Sequence, residues 1–151
     1  MCGIVAILRK DKSFVSQDRI AEEIHICQKM LQSLRYRGPD ESNSINIGKV
    51  CLGHTRLSII DLATGSQPVF NEDGSIAVIL NGEIYNFQEL RIELEKKGHR
   101  FLTRSDTEVI VHLYEEVRED VFSRLNGMFA IVIFSVRHRF FSISVLQLSL
   151  F

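Results

Sequence analysis

Three stretches of the chain are apolar almost without interruption: Gly3–Leu8, Ile76–Leu80 and Met128–Phe134. Short, continuous, β-prone runs of this kind mark strands shielded on both faces, because a strand with one wet face alternates. Val50–Ile60 predicts a fourth strand, with polar residues at its middle. Three other segments follow the helical period instead. Asn86-Phe87-Gln88-Glu89 places an Asn cap ahead of Phe87, Leu90 and Leu94, with Gly98 as the stop. Ser105-Asp106-Thr107-Glu108 has the form of a capping box and precedes Ile110, Leu113, Tyr114 and Val117 on one stripe. A helix over Asp18–Arg35 buries Ile20, Ile24, Cys27, Leu31 and Leu34, and Arg37-Gly38-Pro39 ends it. Doubly covered strands and single-striped helices imply sheets sandwiched by helices.

Composition narrows the class. The 151 residues are enough for one domain, with 45% hydrophobic and 25% charged residues and a formal net charge of −1. No basic excess points to nucleic acid. No uninterrupted apolar window is long enough to span a membrane, and no secretory signal pattern opens the chain. Cys2, Cys27 and Cys51 are scattered, which predicts reduced thiols and a cytoplasmic location rather than a disulfide framework. Cys27 and Cys51 read as core fillers. No metal site is expected, since nothing near His25 and Cys27 completes a ligand set.

Four polar positions carry the candidate chemistry. Removal of Met1 would put a thiol and a free α-amine on Cys2, and an amine with a reference pKa near 7.7–8.0 can accept the thiol proton. Alternatively, Cys2 simply begins a buried strand. Asn81-Gly82 offers an amide and a backbone N–H to one oxyanion, although by spacing alone a hairpin turn is the expected outcome. Arg56 interrupts an apolar strand and must meet an anion, either a substrate carboxylate or a structural partner such as Asp61. His54, two residues earlier, reads as a core or edge histidine. Asp106, in the first turn of a capped helix, is favoured there by the helix dipole, which would hold it ionised; it also suits an ammonium group.

Seven motifs, in order, carry a resemblance. They are Met1–Val5, Arg35–Ser42, Gly53–Leu62, Gly65–Pro68, Leu80–Asn86, Ser105–Glu108 and Leu125–Ala130. Across residues 2–134 the chain resembles the glutaminase domain of glutamine-hydrolysing asparagine synthetases, a class II glutamine amidotransferase domain of the N-terminal-nucleophile hydrolases. Arg37-Gly38-Pro39-Asp40-Glu41 and His54-Thr55-Arg56-Leu57 separate it from glucosamine-phosphate synthases, which tend to carry Arg-Gly-Tyr-Asp-Ser and His-Thr-Arg-Trp there. The resemblance implies an α+β fold, a four-layer αββα sandwich. It implies that Cys2 attacks the side-chain amide of L-glutamine, that its α-amine serves as base and then acid, and that Asn81 and Gly82 hold the oxyanion. Arg56 would grip the glutamine carboxylate, with Leu57, Ser58, Ile59 and Ile60 lining the pocket. Asp106, with Gly82 and Glu83, would take the α-ammonium. A thioester would release ammonia, then glutamate.

Full-length members of that family continue into a domain that activates aspartate with ATP, and no pyrophosphate loop of its kind occurs here. ATP and Mg²⁺ are therefore expected only on that missing domain, with no cofactor on this chain. The expected partners are glutamine, a synthetase domain or subunit as ammonia acceptor, and a second copy in a homodimer. Residues 135–151 depart from the family pattern and read as a divergent tail or a truncated end of the same domain, an aggregation hazard if left unpaired. The alternative function is a catalytically silent truncated remnant that binds glutamine weakly or folds poorly, or the glutaminase domain of another amidotransferase.

Overall fold

The computed structural model describes residues 2–9, 16–58, 65–137 and 140–146. The fold is α+β, in two compact units that divide at Leu57 and Ser58. Each unit holds one antiparallel sheet backed by helix.

In the first unit, β1 (Gly3–Leu8), β2 (Glu41–Ile47) and β3 (Val50–Arg56) pair in the order β1-β3-β2. The predicted first strand is found with its expected bounds. The strand predicted over Val50–Ile60 stops at Arg56, and Ile59 and Ile60 lie outside the described residues. Every residue of β3 is buried, because β3 is central in its sheet and α1 (Gln17–Ser33) packs on it. Cys27 and Leu31 of α1 meet Val5 and Cys51 in the core of this unit, with Ile24 and Leu34 at its margin. Both cysteines fill core, as expected; a hydrogen bond to Cys51, with burial added, pushes the Cys27 thiol far up, so Cys27 keeps its proton. Helix α1 ends at Ser33, earlier than Gly38 and Pro39 require, and a turn through Leu34–Arg37 closes it.

In the second unit, β4 (Val69–Phe70), β5 (Ile76–Ile84), β6 (Gly127–Ser135) and β7 (Phe140–Leu146) form one sheet in that order. Helices α2 (Phe87–Lys96), α3 (Glu108–Val117) and the short α4 (Val121–Arg124) supply the rest of the core. Ile76, Val78 and Leu80 face the helix-side cluster, and Ala77 and Ile79, pointing the other way, are buried too. Residues 140–146, within the segment read as a divergent tail, pair along β6 from Ser135↔Phe140 to Phe129↔Leu146.

Three local expectations are corrected. Asn81-Gly82 is no hairpin: β5 runs straight through it, Asn81 pairing with Ala130 and Gly82 with Phe129. The glycine serves close approach instead of reversal, since a Cβ at Gly82 would stand 2.1 Å from the Met128 carbonyl oxygen. The capping box does not form. Helix α3 starts at Glu108, whose carboxylate accepts from Leu102 N, Thr103 N and Thr103 Oγ1, while Ser105 Oγ accepts from Thr107 N. Asn86 makes no side-chain cap either; its amide donates to the Arg124 carbonyl and accepts from Asn126 N, tying the start of α2 to the loop before β6.

Candidate functional site

In the first unit the chemistry collects at the start of β1 and the end of β3. Cys2 is half-buried. Its sulfur accepts the Leu57 N–H at 3.4 Å and lies 3.8 Å from the Leu57 carbonyl oxygen, to which the thiol donates. Arg37 Nε donates to the Cys2 carbonyl at 3.0 Å and so anchors the residue from its backbone. Arg56 is buried, with Nη1 3.6 Å from Glu41 Oε2, its cross-strand neighbour in the sheet. The anion that sequence reasoning sought near Arg56 thus includes Glu41, a partner it did not find; Asp61 lies outside the described residues.

The Arg35–Ser42 motif is built around these two residues. Arg37 holds Cys2. Gly38 lies against the β3 backbone, where a Cβ would come within 2.6 Å of Arg56 N and C. Asp40 N–H donates to the Arg56 carbonyl at 3.1 Å, and Glu41 reaches the guanidinium. Alternation along a strand would have flagged Glu41 as the residue opposite Arg56, but only if the β2–β3 register were known beforehand. His54 is buried in the middle of β3, a core position as expected. Leu57 and Ser58 are half-buried.

In the second unit the predicted residues gather along one edge of β5. N–H groups alternate sides along an antiparallel strand. Those of the even-numbered residues turn away from β6: Val78 faces β4, Leu80 donates to Gln67 Oε1 at 2.6 Å, and Ile84 donates to Asp106 Oδ2 at 3.0 Å. Gly82 sits between Leu80 and Ile84, so its N–H faces the same edge, where no described residue accepts it. Asn81 is half-buried, and its Oδ1 is buried without a partner among the described residues. Gly82 and Glu83 are exposed. Gln67, which no spacing argument singled out, frames this edge through Leu80 N and through Thr107 Oγ1 at 3.3 Å.

Asp106 precedes α3 by two residues instead of lying in its first turn. The structure therefore corrects the expectation that the helix dipole holds it ionised. Burial pushes its carboxyl above the ordinary value, the Ile84 N–H opposes that shift, and the charge of Glu83 adds to it. A buried carboxylate beside a second acid is an environment that favours a cation.

A family model described as a glutamine amidotransferase domain matches residues 1–144. The chain is 44% identical over 144 residues to asparagine synthetase [glutamine-hydrolyzing] 1 of Arabidopsis thaliana, covering 95% of this chain and 23% of that protein. It is 45% identical over 141 residues to the asparagine synthetase [glutamine-hydrolyzing] of Asparagus officinalis, covering 93% and 22%. Among solved structures, the glutamine phosphoribosylpyrophosphate amidotransferase of B. subtilis with ADP and GMP is 34% identical, with a TM-score of 0.47 over 58% of this chain and 21% of that one. The chain spans about a quarter of the length of the curated relatives it matches.

Proposed function

This chain belongs to the glutamine amidotransferase domain family, and on that premise we propose that it hydrolyses the side-chain amide of L-glutamine to glutamate and ammonia. The observation that carries this reading is the half-buried Cys2 sulfur, held by the N–H of the residue that follows Arg56. With Met1 removed, the Cys2 α-amine takes the thiol proton, and the thiolate attacks the amide carbon. The oxyanion of the tetrahedral intermediate accepts from the Asn81 amide and the Gly82 N–H, each such donor worth roughly 3 kcal/mol. The ammonium form of the amine returns its proton to the departing nitrogen, ammonia leaves, and a thioester remains on Cys2. Water adds to that thioester, giving up a proton to the amine, and glutamate departs as the thiol is restored.

Substrate recognition divides by charge. The Arg56 guanidinium takes the glutamine α-carboxylate, with residues 57–60 lining the pocket. Asp106 takes the α-ammonium with Gly82 and Glu83. The acidic corner at Asp106 supports the ammonium assignment, and the Gly82 N–H, on the same strand edge as those of Leu80 and Ile84, supports the oxyanion assignment. In the proposed setting the ammonia is consumed in the cytoplasm by ATP-dependent asparagine synthesis from aspartate, on a synthetase domain that carries the ATP and Mg²⁺; this chain itself needs no cofactor for the hydrolysis.

The test is release of glutamate and ammonia in equal amounts by protein whose intact mass shows Met1 removed. Protein of that mass that leaves glutamine untouched sinks the proposal. Two substitutions dissect recognition. Arg56→Ala should raise KM for glutamine on the order of 100-fold, the cost of removing one side of a buried charged pairing. An unchanged KM would leave Arg56 as a strut for Glu41. Asp106→Asn should raise KM about ten- to hundred-fold without lowering the melting temperature at neutral pH. The sign follows from linkage: a carboxyl raised by folding favours the fold below its ordinary pKa and weakens it as pH climbs through the raised value. Asn removes that charge. A melting temperature that falls, with KM unmoved, would make Asp106 structural.

A further inference from the structure

Four side chains from three separate segments of the second unit converge on one point. Glu72 comes from the turn after β4, His99 from the segment after α2, and His112 and Glu115 from one face of α3. One ligand atom of each lies within 4.8 Å of the other three. His99 Nδ1 and His112 Nδ1 each stand 3.4 Å from Glu115 Oε2, and His112 Nδ1 stands 3.7 Å from Glu72 Oε2. Bonds of 2.0–2.1 Å to a tetrahedral cation put neighbouring ligand atoms roughly 3.3–3.4 Å apart. Two of the spacings match such a cage, and the rest, none above 4.8 Å, need only a small contraction onto an ion. The cluster's charge fits as well, because two carboxylates and two neutral imidazoles are balanced by one divalent ion.

What distinguishes the cluster from a casual group of acids is that the second atom of three of its four ligands, Glu72, His99 and Glu115, is already engaged. Glu115 Oε1 accepts from Asn71 Nδ2 at 2.8 Å, and Glu72 Oε1 accepts from Arg100 N at 3.4 Å. His99 Nε2 faces Glu116 Oε1 at 3.2 Å. His112 Nε2, buried, faces Glu108 Oε1 at 3.8 Å, and Glu108 is itself fixed by Leu102 N, Thr103 N and Thr103 Oγ1. Phe101 closes edge-on over the His112 ring at 4.5 Å. An imidazole that points one nitrogen at a metal and the other at a carboxylate is the usual arrangement of a metal-bound histidine.

We propose that Glu72, His99, His112 and Glu115 bind one divalent transition cation of the zinc class, through both Nδ1 atoms and one oxygen of each carboxylate. Four protein ligands leave no open position, so the site is structural. It staples the turn after β4 and the end of α2 to helix α3.

The experiment titrates the full chain, stripped of metal, with Zn²⁺ by calorimetry and with Co²⁺ by visible absorption. Expected are one equivalent bound, the intense d–d bands of tetrahedral cobalt, and a higher melting temperature with Zn²⁺. His99→Ala should weaken binding at least 100-fold, and Glu116→Gln about tenfold through His99 alone. Should His99→Ala fail to fold, Glu72→Gln, whose side chain is 48% exposed, replaces it with the same expected direction. The proposal is overturned by any of three results: no cation bound, binding that survives these ligand substitutions, or a cobalt spectrum dominated by thiolate charge transfer, which would place the ion on a cysteine.

Discussion

Cys2→Ala is expected to abolish glutamate release, by at least about 10³-fold, while the protein still folds. The magnitude follows from the proposed role of the side chain: without the sulfur no thioester can form, and the remaining groups could only bind and polarise glutamine. The fold survives because Cys2 lies ahead of β1, half-buried, and its backbone anchor from Arg37 involves the carbonyl. The stability change should stay within about 1 kcal/mol. Cys2→Ser should also lose most of the activity at neutral pH, since a hydroxyl is a far weaker acid than a thiol and yields its nucleophilic form far less readily. Measurement pairs a glutamate assay with intact-mass spectrometry of acid-quenched protein, where the native enzyme carries a glutamyl adduct and Cys2→Ala carries none. Turnover by the alanine variant would remove Cys2 from the mechanism. Retained Met1 in an active preparation would remove the α-amine, because an amide nitrogen cannot take the proton.

The second large effect is on the fold. Gly82→Ala should cost on the order of 4 kcal/mol and lower the melting temperature by about 10 °C. A Cβ at this position would lie 2.1 Å from Met128 O and 2.6 Å from Phe129 Cα, and both atoms are backbone of β6. No side-chain rotation relieves such an overlap; the two central strands must separate. The φ of +148° adds strain for any residue with a Cβ. Gly48→Ala is the control: nothing lies within 4 Å of its Cβ position, so only the penalty of its φ of +62° applies, about 1 kcal/mol. Thermal denaturation of the two variants separates contact from conformation. Equal losses would mean that β5 and β6 tolerate the added methyl group, and the close approach would carry no weight.

These two predictions rest on different kinds of information. Cys2 was visible because its chemistry depends on its place in the chain, next to Met1, which a sequence states outright. The strands at Gly3–Leu8, Ile76–Leu80 and Met128–Phe134 were visible because continuous apolar runs have few other uses. The hairpin expected at Asn81-Gly82 does not form, since Asn-Gly carries the same local signal whether the chain reverses or a second backbone passes close by. Only the pairing of β5 with β6, 40 and more residues apart, decides which. The caps failed for a related reason. Asn86, Ser105 and Glu108 have the chemistry of helix starts, but Asn86 pairs with the loop before β6 and Ser105 and Glu108 with the turn around them, and one hydrogen bond of about 1 kcal/mol is readily outweighed.

By itself the chain's order of residues determined the family and the two helix-backed sheets and nominated the groups proposed to meet glutamine, because these are written in periods and motifs that span a few residues each. The tertiary structure alone decided which polar atoms remain unspent. Gly82 N–H faces an open strand edge because its neighbours at 80 and 84 are taken by Gln67 and Asp106. Arg56 meets Glu41 because β2 and β3 share one register. Glu72, His99, His112 and Glu115 meet because two segments close on α3. Local patterns set what each segment can do on its own. Which donor finds which acceptor is settled by long-range packing, where contacts between distant residues are exchanged against water and against one another.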